Sequence, residues 1–284
     1  MKVVMILIDG FGVPLENWRN SIYSKYTDSS FISLFENHST PVDATMGVSG
    51  IPQSATGQTA IFTGIKTSEI LQKHIPAFPR KILKEWIIKQ NIFKNLINRG
   101  KKALFSNAYV RYTPEELEEK GYASVTTVMA RHTLKHFLNV NDLSSGKALF
   151  HDITRKTLQN LNHIPGIPPV IEPEEAAEHL STLAGNNDFT LFEYFLTDHA
   201  GHKRNFNALK EYLNDFSRFF IKLIQLAENN FSVILISDHG NCENMNVSGH
   251  TLNPVPLFVY GELAEQNYKQ VKVINEIYGF LENI

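Results

Sequence analysis

The chain holds a single cysteine, Cys242, in 284 residues, so no disulfide can close within it. A lone thiol suits a reducing compartment, and the expected location is the cytoplasm. Basic runs are missing too: 27 Lys and Arg stand against 29 Asp and Glu, a net charge of −2. With a pI near 6.6, nothing points to nucleic acid. No apolar run is long enough to span a membrane. The opening run Val3–Ile8 carries no signal-peptide cleavage pattern. Internal repeats and low-complexity tracts are lacking as well. What remains, 43% hydrophobic and 20% charged residues, is ordinary for a globular protein. A chain of this length can bury the core of one α/β domain, or of one domain with a small lid.

Against that plain background, three apolar runs end in an acid. Val3–Ile8 stops at Asp9, followed by Gly10-Phe11-Gly12. Leu191–Leu196 leads to Thr197-Asp198, with His202 four positions later. Phe231–Ile236 leads to Ser237-Asp238-His239-Gly240-Asn241, with His250 a short loop beyond. Unbroken apolar runs of this length read as strands buried on both faces of a parallel sheet. Side chains at the carboxyl ends of such strands project into the crevice where open α/β sheets bind ligands. Each acid alone could cap a turn, but three converging on one sheet edge point to a metal site. Imidazole with carboxylate suits Zn²⁺, Mn²⁺ or Fe²⁺. If the chain turns helically after Asp198, His202 shares its face, whereas His199 reads as a solvated loop residue.

A fourth segment, Gly50–Gly64, leads small and hydroxyl residues into a short helix. Ser54 lies at its start, where unpaired amides and the positive dipole end favour an anion. A lone serine there reads as an ordinary N-cap. Beside a metal cluster it becomes a candidate nucleophile, with Thr56 as runner-up.

Strands are expected at 2–8, 102–108, 189–196, 231–237 and 256–260, and helices at 54–63, 79–99, 174–184, 205–228 and 271–282. In the helix at 205–228, Leu209, Leu213, Phe216, Phe219, Phe220, Leu223 and Ile224 form one apolar stripe, with Tyr212 alongside. Alternating strands and helices call for a sheet covered on both faces. Residues 65–168 read least clearly and hold possible lid elements. There His74, Arg131-His132 and His151 with Arg155 are candidates to face a phosphate, though each also reads as solvated or locally bonded.

Taken together and in this order, the motifs resemble the alkaline phosphatase superfamily, most closely the core domain of cofactor-independent phosphoglycerate mutases. Asp238-His239-Gly240-Asn241-Cys242-Glu243 and His250-Thr251-Leu252-Asn253-Pro254-Val255-Pro256 are similar to that branch's D-H-G-N-x-E and H-T-x-N-P-V-P stretches. Ile8-Asp9-Gly10-Phe11-Gly12 is similar to its I-D-G-W-G. The resemblance implies a three-layer α/β/α sandwich around a mostly parallel sheet, in one domain over 1–284. It implies two divalent ions, Mn²⁺ or Zn²⁺: one held by Asp198, His202 and His250, the other by Asp9, Asp238, His239 and the Ser54 oxygen. Cys242 then packs and does not ligate. Two such ions, about 3.5–4 Å apart, clamp the attacking and leaving oxygens of an in-line displacement.

The chain departs from the mutases at Gln53-Ser54-Ala55-Thr56-Gly57-Gln58, where they read N-S-E-V-G-H. Nor does it show the V-H-S-H run of their large inserted domain. A hydrolase of a small phosphate ester, phosphatase or phosphodiesterase, is therefore the expected activity. Amides near Thr56 and Gly57 are expected at the substrate. A mutase-like phosphotransferase, or an idle metal-binding protein on the same scaffold, are the alternatives.

Overall fold

The six residues from Val3 to Ile8 are all buried, because apolar side chains alternate and both faces of this strand are covered. In the computed structural model, which describes residues 1–161, 164–282 and 284, this strand β1 (Val3–Ile8) lies inside a sheet. The others are β2 (Ser39–Val42), β3 (Ala103–Phe105), β4 (Phe189–Tyr194), β5 (Ser232–Ile236) and β6 (Val255–Tyr260). Their order is β2-β6-β5-β1-β4-β3. The run β5-β1-β4-β3 is parallel, while β6 is antiparallel to both β5 and β2.

The period of two divides the core. Val3, Met5 and Leu7 face a layer built from the helices Ser54–Thr63, Ile92–Asn98, Val125–Thr133 and Ile277–Leu281. Val4, Ile6 and Ile8 face the helices Ser29–His38, Pro173–Asn186 and Phe206–Ala227. This is the three-layer sandwich expected. The stripe Leu209–Ile224 is buried as one face, with Phe216 and Phe220 stacked at 5.7 Å, and Tyr212 lies at its margin.

Local structure departs from expectation where short polar signals override pattern. The helix expected at 79–99 is two, Lys81–Lys89 and Ile92–Asn98. Asn91 breaks it by capping the second, its side chain accepting from the Lys94 amide at 2.9 Å. The helix expected at 271–282 is a 3₁₀ turn, Ile274–Glu276, followed by Ile277–Leu281. Strand β2 was not expected: it is four residues long and contains Pro41, tolerable because β2 is an edge strand. Strand β4 ends at Tyr194 and a helix, Leu196–Lys203, starts two residues on. Asp198 is thus in the first turn of a helix and not at a strand end.

Of residues 65–168, β3 belongs to the sheet and the helices Lys81–Lys89 and Val125–Thr133 pack beneath it. His74 is tied to Ser68 Oγ at 3.0 Å, and His132 to Glu118 at 3.2 Å. Arg131 also pairs with Glu118. Arg155 is buried with its guanidinium donating to the Leu143 carbonyl at 2.8 Å. None of these four faces the site described next.

Candidate metal centre

Parallel strands deliver their loops to one edge, so Asp9 after β1 and Asp238-His239 after β5 emerge side by side. The chain turns sharply behind Asp9 through Gly10, whose φ of 67° suits glycine. A Cβ there would sit 2.7 Å from Asp198 Oδ1, so the glycine also allows the neighbouring helix to approach. That helix, Leu196–Lys203, places Asp198 and His202 one turn apart, with His202 Nε2 3.3 Å from Asp198 Oδ2. From the opposite layer, the helix Ser54–Thr63 aims its first residue at the same point: Ser54 Oγ is 2.9 Å from His239 Nε2.

Two groups of donors result. Asp9, Asp238 and His239 offer ligand atoms all within 4.8 Å of one another, and so do Asp198, His239 and His250. His239 joins them, 3.2 Å from Asp9 Oδ1 and 3.6 Å from Asp238 Oδ2. Its ring stacks on that of His250 at 3.5 Å. His250 Nε2 lies 3.0 Å from His202 Nε2 and 3.5 Å from Asp198 Oδ1. The expected set Asp198, His202 and His250 is therefore together, with His239 closer to it than the sequence suggested.

Do these residues fit a cation? Asp238 and His239 are fully buried. Oδ1 of Asp238 and Nδ1 of His239 have no hydrogen-bond partner among the described residues, while Asp9 Oδ1 has His239 Nε2 at 3.2 Å. Buried anionic oxygens without partners are costly unless an ion completes them. Burial, then Asp238 and Asp198, raise the Asp9 carboxyl well above its usual range. Burial opposes charge on His239, but Asp238, Asp9 and Asp198 outweigh it and push its pKa up to about 10. For Asp198, burial is outweighed by the bond from His202 and by His239, and its pKa falls to about 2. Burial, helped by His239, lowers His250 to about 4. Nδ1 of that neutral ring meets the Pro52 carbonyl at 2.8 Å. A carbonyl can only accept, so Nδ1 carries the proton and Nε2 turns its lone pair to the centre. Three carboxylates around imidazoles, with the His250 lone pair turned to the centre, suit borderline divalent ions.

Neighbours the sequence reading did not single out hold the ligands. Gln58 Nε2 donates to Asp238 Oδ2 at 2.9 Å, and lies one helical turn after Ser54. Asn241 Nδ2 donates to Asp198 Oδ1 at 2.6 Å. Glu243 accepts from the amides of Gly12 (3.1 Å) and Asn241 (2.7 Å), from Asn253 Nδ2 (3.0 Å), and from the Thr251 hydroxyl. It thereby knots the loops after β1 and β5 to the one bearing His250. Only its place in the D-H-G-N-x-E motif could have marked it. Glu193 lies on β4, takes a 2.6 Å bond from Thr126 Oγ1, and is held up to about 7 by burial. Cys242 is buried, with its Sγ 3.6 Å from the Tyr23 hydroxyl.

At the helix start the placement differs from expectation. Gly57 N–H donates to the Gln53 carbonyl at 2.9 Å and Thr56 N–H to the Ile75 carbonyl at 3.4 Å. Thr56 is fully buried, and its hydroxyl is engaged with the Gln53 carbonyl and the Ile75 amide. It cannot reach a substrate. The amides of Ser54 and Ala55, two residues earlier, have no acceptor among the described residues. A cavity of about 540 Å³ opens over Ser54, Asp9, Asp198 and His202.

The fold is shared with solved structures. PH0037 of Pyrococcus horikoshii matches with a TM-score of 0.59 at 13% identity, covering 99% of this chain and 96% of that one. The alkaline phosphatase of Thermus thermophilus matches at 0.57 and 10% identity, covering 98% and 90%. The fold is alkaline-phosphatase-like. A profile of the Metalloenzyme superfamily matches residues 1–281, and the chain belongs to that family. It is similar to the 2,3-bisphosphoglycerate-independent phosphoglycerate mutase of Aliarcobacter butzleri, 30% identical over 124 residues, 41% of this chain and 23% of that protein. The one from Sulfurimonas denitrificans is 35% identical over 82 residues, 26% and 17%. These matches therefore span less than a quarter of the mutases' own length. Among the described residues, no helix is long and apolar enough to cross a membrane.

Proposed function

We propose that this chain hydrolyses a phosphate ester in two steps, with Ser54 as nucleophile between two divalent ions, Mn²⁺ or Zn²⁺. One ion would be held by Asp9, Asp238 and His239 with the Ser54 oxygen, the other by Asp198, His202 and His250. The observation that carries this reading is the position of Ser54 Oγ, 2.9 Å from the imidazole that joins both donor groups. The ions, when bound, supply Lewis acidity to the serine hydroxyl and to the phosphoryl oxygens.

The chain's own residues supply the rest. Ser54 Oγ, having given its proton to solvent, bonds to phosphorus as the bond from phosphorus to the alcohol oxygen breaks. The departing alkoxide takes a proton from solvent. Amides of Ser54 and Ala55 at the helix start face the equatorial oxygens, where charge gathers. Gln58 and Asn241 fix Asp238 and Asp198 so that the donors need not reorganise during transfer. Water then attacks phosphorus from the side the alcohol left, releases inorganic phosphate, and returns the Ser54 hydroxyl.

The mutase motifs favour a second reading, return of the phosphoryl group to another hydroxyl of the same molecule. Phosphorus NMR separates the two. Metal-loaded protein given a panel of phosphate esters, 3-phosphoglycerate among them, should release free phosphate from some ester and form no 2-phospho isomer. Ser54→Ala should abolish that release while the ions stay bound. Rapid isomerisation without free phosphate would establish the second reading instead.

A further inference from the structure

Most of the cavity over Ser54 is not polar. Phe105, Tyr109 and Phe150 line its inner wall, and Phe78, Tyr122 and Phe195 its mouth. The three at the mouth are exposed by 41%, 60% and 38%. They are not scattered. Phe78 and Tyr122 pack on each other with ring centroids 5.8 Å apart, although they come from distant parts of the chain. Phe195 lies flat on His151 at 4.3 Å, their planes 22° apart. Burial lowers the pKa of His151 to about 4, so this stack is uncharged at neutral pH. Clustered exposed rings at the mouth of one cavity mark a binding surface, since single ones need no explanation.

The cavity's charges lie almost wholly at its floor, where Asp9, Asp198 and Glu193 face Ser54. Among the described lining residues Arg111 is the one Lys or Arg, and it is exposed at the rim, 5.0 Å above the Tyr112 ring. A small acid bearing both carboxylate and phosphate would meet one cation beyond the metal centre and an otherwise apolar wall. A flat ring reaching up from Ser54 would instead find Phe195 on one side and the Phe78–Tyr122 pair across the mouth.

We infer that this cavity seats the alcohol part of the substrate, and that this part is uncharged and aromatic, or large and apolar. This rests on the phosphoryl-transfer reading above for its position, since Phe195 caps the start of the helix that carries Asp198 and His202. Remote binding of this kind holds the ester in line with Ser54 Oγ while phosphorus is transferred.

The test compares esters whose leaving alcohols are equally acidic, so that only the cavity distinguishes them. For the Mn²⁺-loaded protein, kcat/KM for 3-phenylpropyl phosphate should exceed that for propyl phosphate on the order of tenfold or more. Phe78→Ala and Tyr122→Ala, both at exposed positions where folding is safe, should each shrink that ratio toward one. Calorimetry supplies a readout without turnover: 1-naphthylmethyl phosphonate should bind on the order of tenfold tighter than methyl phosphonate. Equal kcat/KM for the two esters, with equal phosphonate affinities, would overturn the inference and leave the hydrolase reading intact. No turnover of either ester, with the naphthyl compound still preferred, would sink the hydrolase reading and uphold the aromatic site. Neither turnover nor preference would remove both.

Discussion

The metal centre and the aromatic wall above it are incomplete in opposite ways. At the sheet edge, carboxylates and imidazoles are buried together with polar atoms that no described residue satisfies. Over it, rings stay exposed that water does not favour. The first region is rigidly placed: Asp9 and Asp238 follow parallel strands, and Glu243 ties their loops with bonds from four residues. The second is assembled largely from connecting segments around residues 78, 105–122 and 150. Charge must be held within tenths of an ångström to be useful, whereas apolar surface tolerates looser placement. On the proposed reading, the sheet carries the chemistry and the connections carry the fit to whatever the phosphorus is attached to.

The largest effect should come from removing a charge at the sheet edge. Asp9→Asn should lower the ion count from two per chain toward one, and turnover on the order of a thousandfold or more. In metal-free protein the same change should do the reverse to stability. Burial, Asp238 and Asp198 raise the folded-state pKa of Asp9 above its unfolded value. Its contribution is thus fully present at low pH and is lost as pH rises. Asp9→Asn should raise the melting temperature at pH 8 and change it little at pH 4. Elemental analysis and calorimetry check both; a variant that keeps two ions, or melts lower at pH 8, would break the contrast between the regions.

A smaller loss should follow from Gly57→Ala. A Cβ at Gly57 would lie 2.8 Å from the Asp238 carbonyl oxygen and 3.2 Å from its Cβ. The helix bearing Ser54 would have to shift from the end of β5, lowering kcat about 10- to 100-fold. The ratio between phenylpropyl and propyl phosphates should hold, because Gly57 does not line the cavity. A changed ratio would mean that the two regions are one coupled surface.

Glu193 sits where the regions meet, and its removal should have the mildest effect. Burial raises its carboxyl to about 7, so the stability it contributes is present below its usual value and fades as pH rises through 7. Glu193→Gln keeps an acceptor for Thr126 Oγ1 and should flatten the fall in melting temperature of the metal-free protein between pH 5 and 8. An unchanged slope would assign that fall to the metal ligands alone.

Much of the candidate metal centre was legible in the chain itself. Three apolar runs each leading to an acid, one with His at the next position and one with His a turn later, state a strand edge and a ligand set in local terms. Parallel pairing then has little choice but to bring Asp9 and Asp238 together, because β1 must be covered on both faces. The stripe on the helix Phe206–Ala227 was equally plain, since a period of 3.6 belongs to one segment. What the sequence left open depends on neighbours far away in the chain. Thr56 stands as runner-up to Ser54 until Ile75 is seen to take both its amide and its hydroxyl. His239 reads as a ligand of one ion until the fold stacks it on His250. Phe78, Tyr122 and Phe195 look like unrelated apolar residues, and no periodicity links them. Local pattern fixes which face a side chain takes and where a strand ends; only packing brings connecting segments together, and that is where this cavity's walls come from.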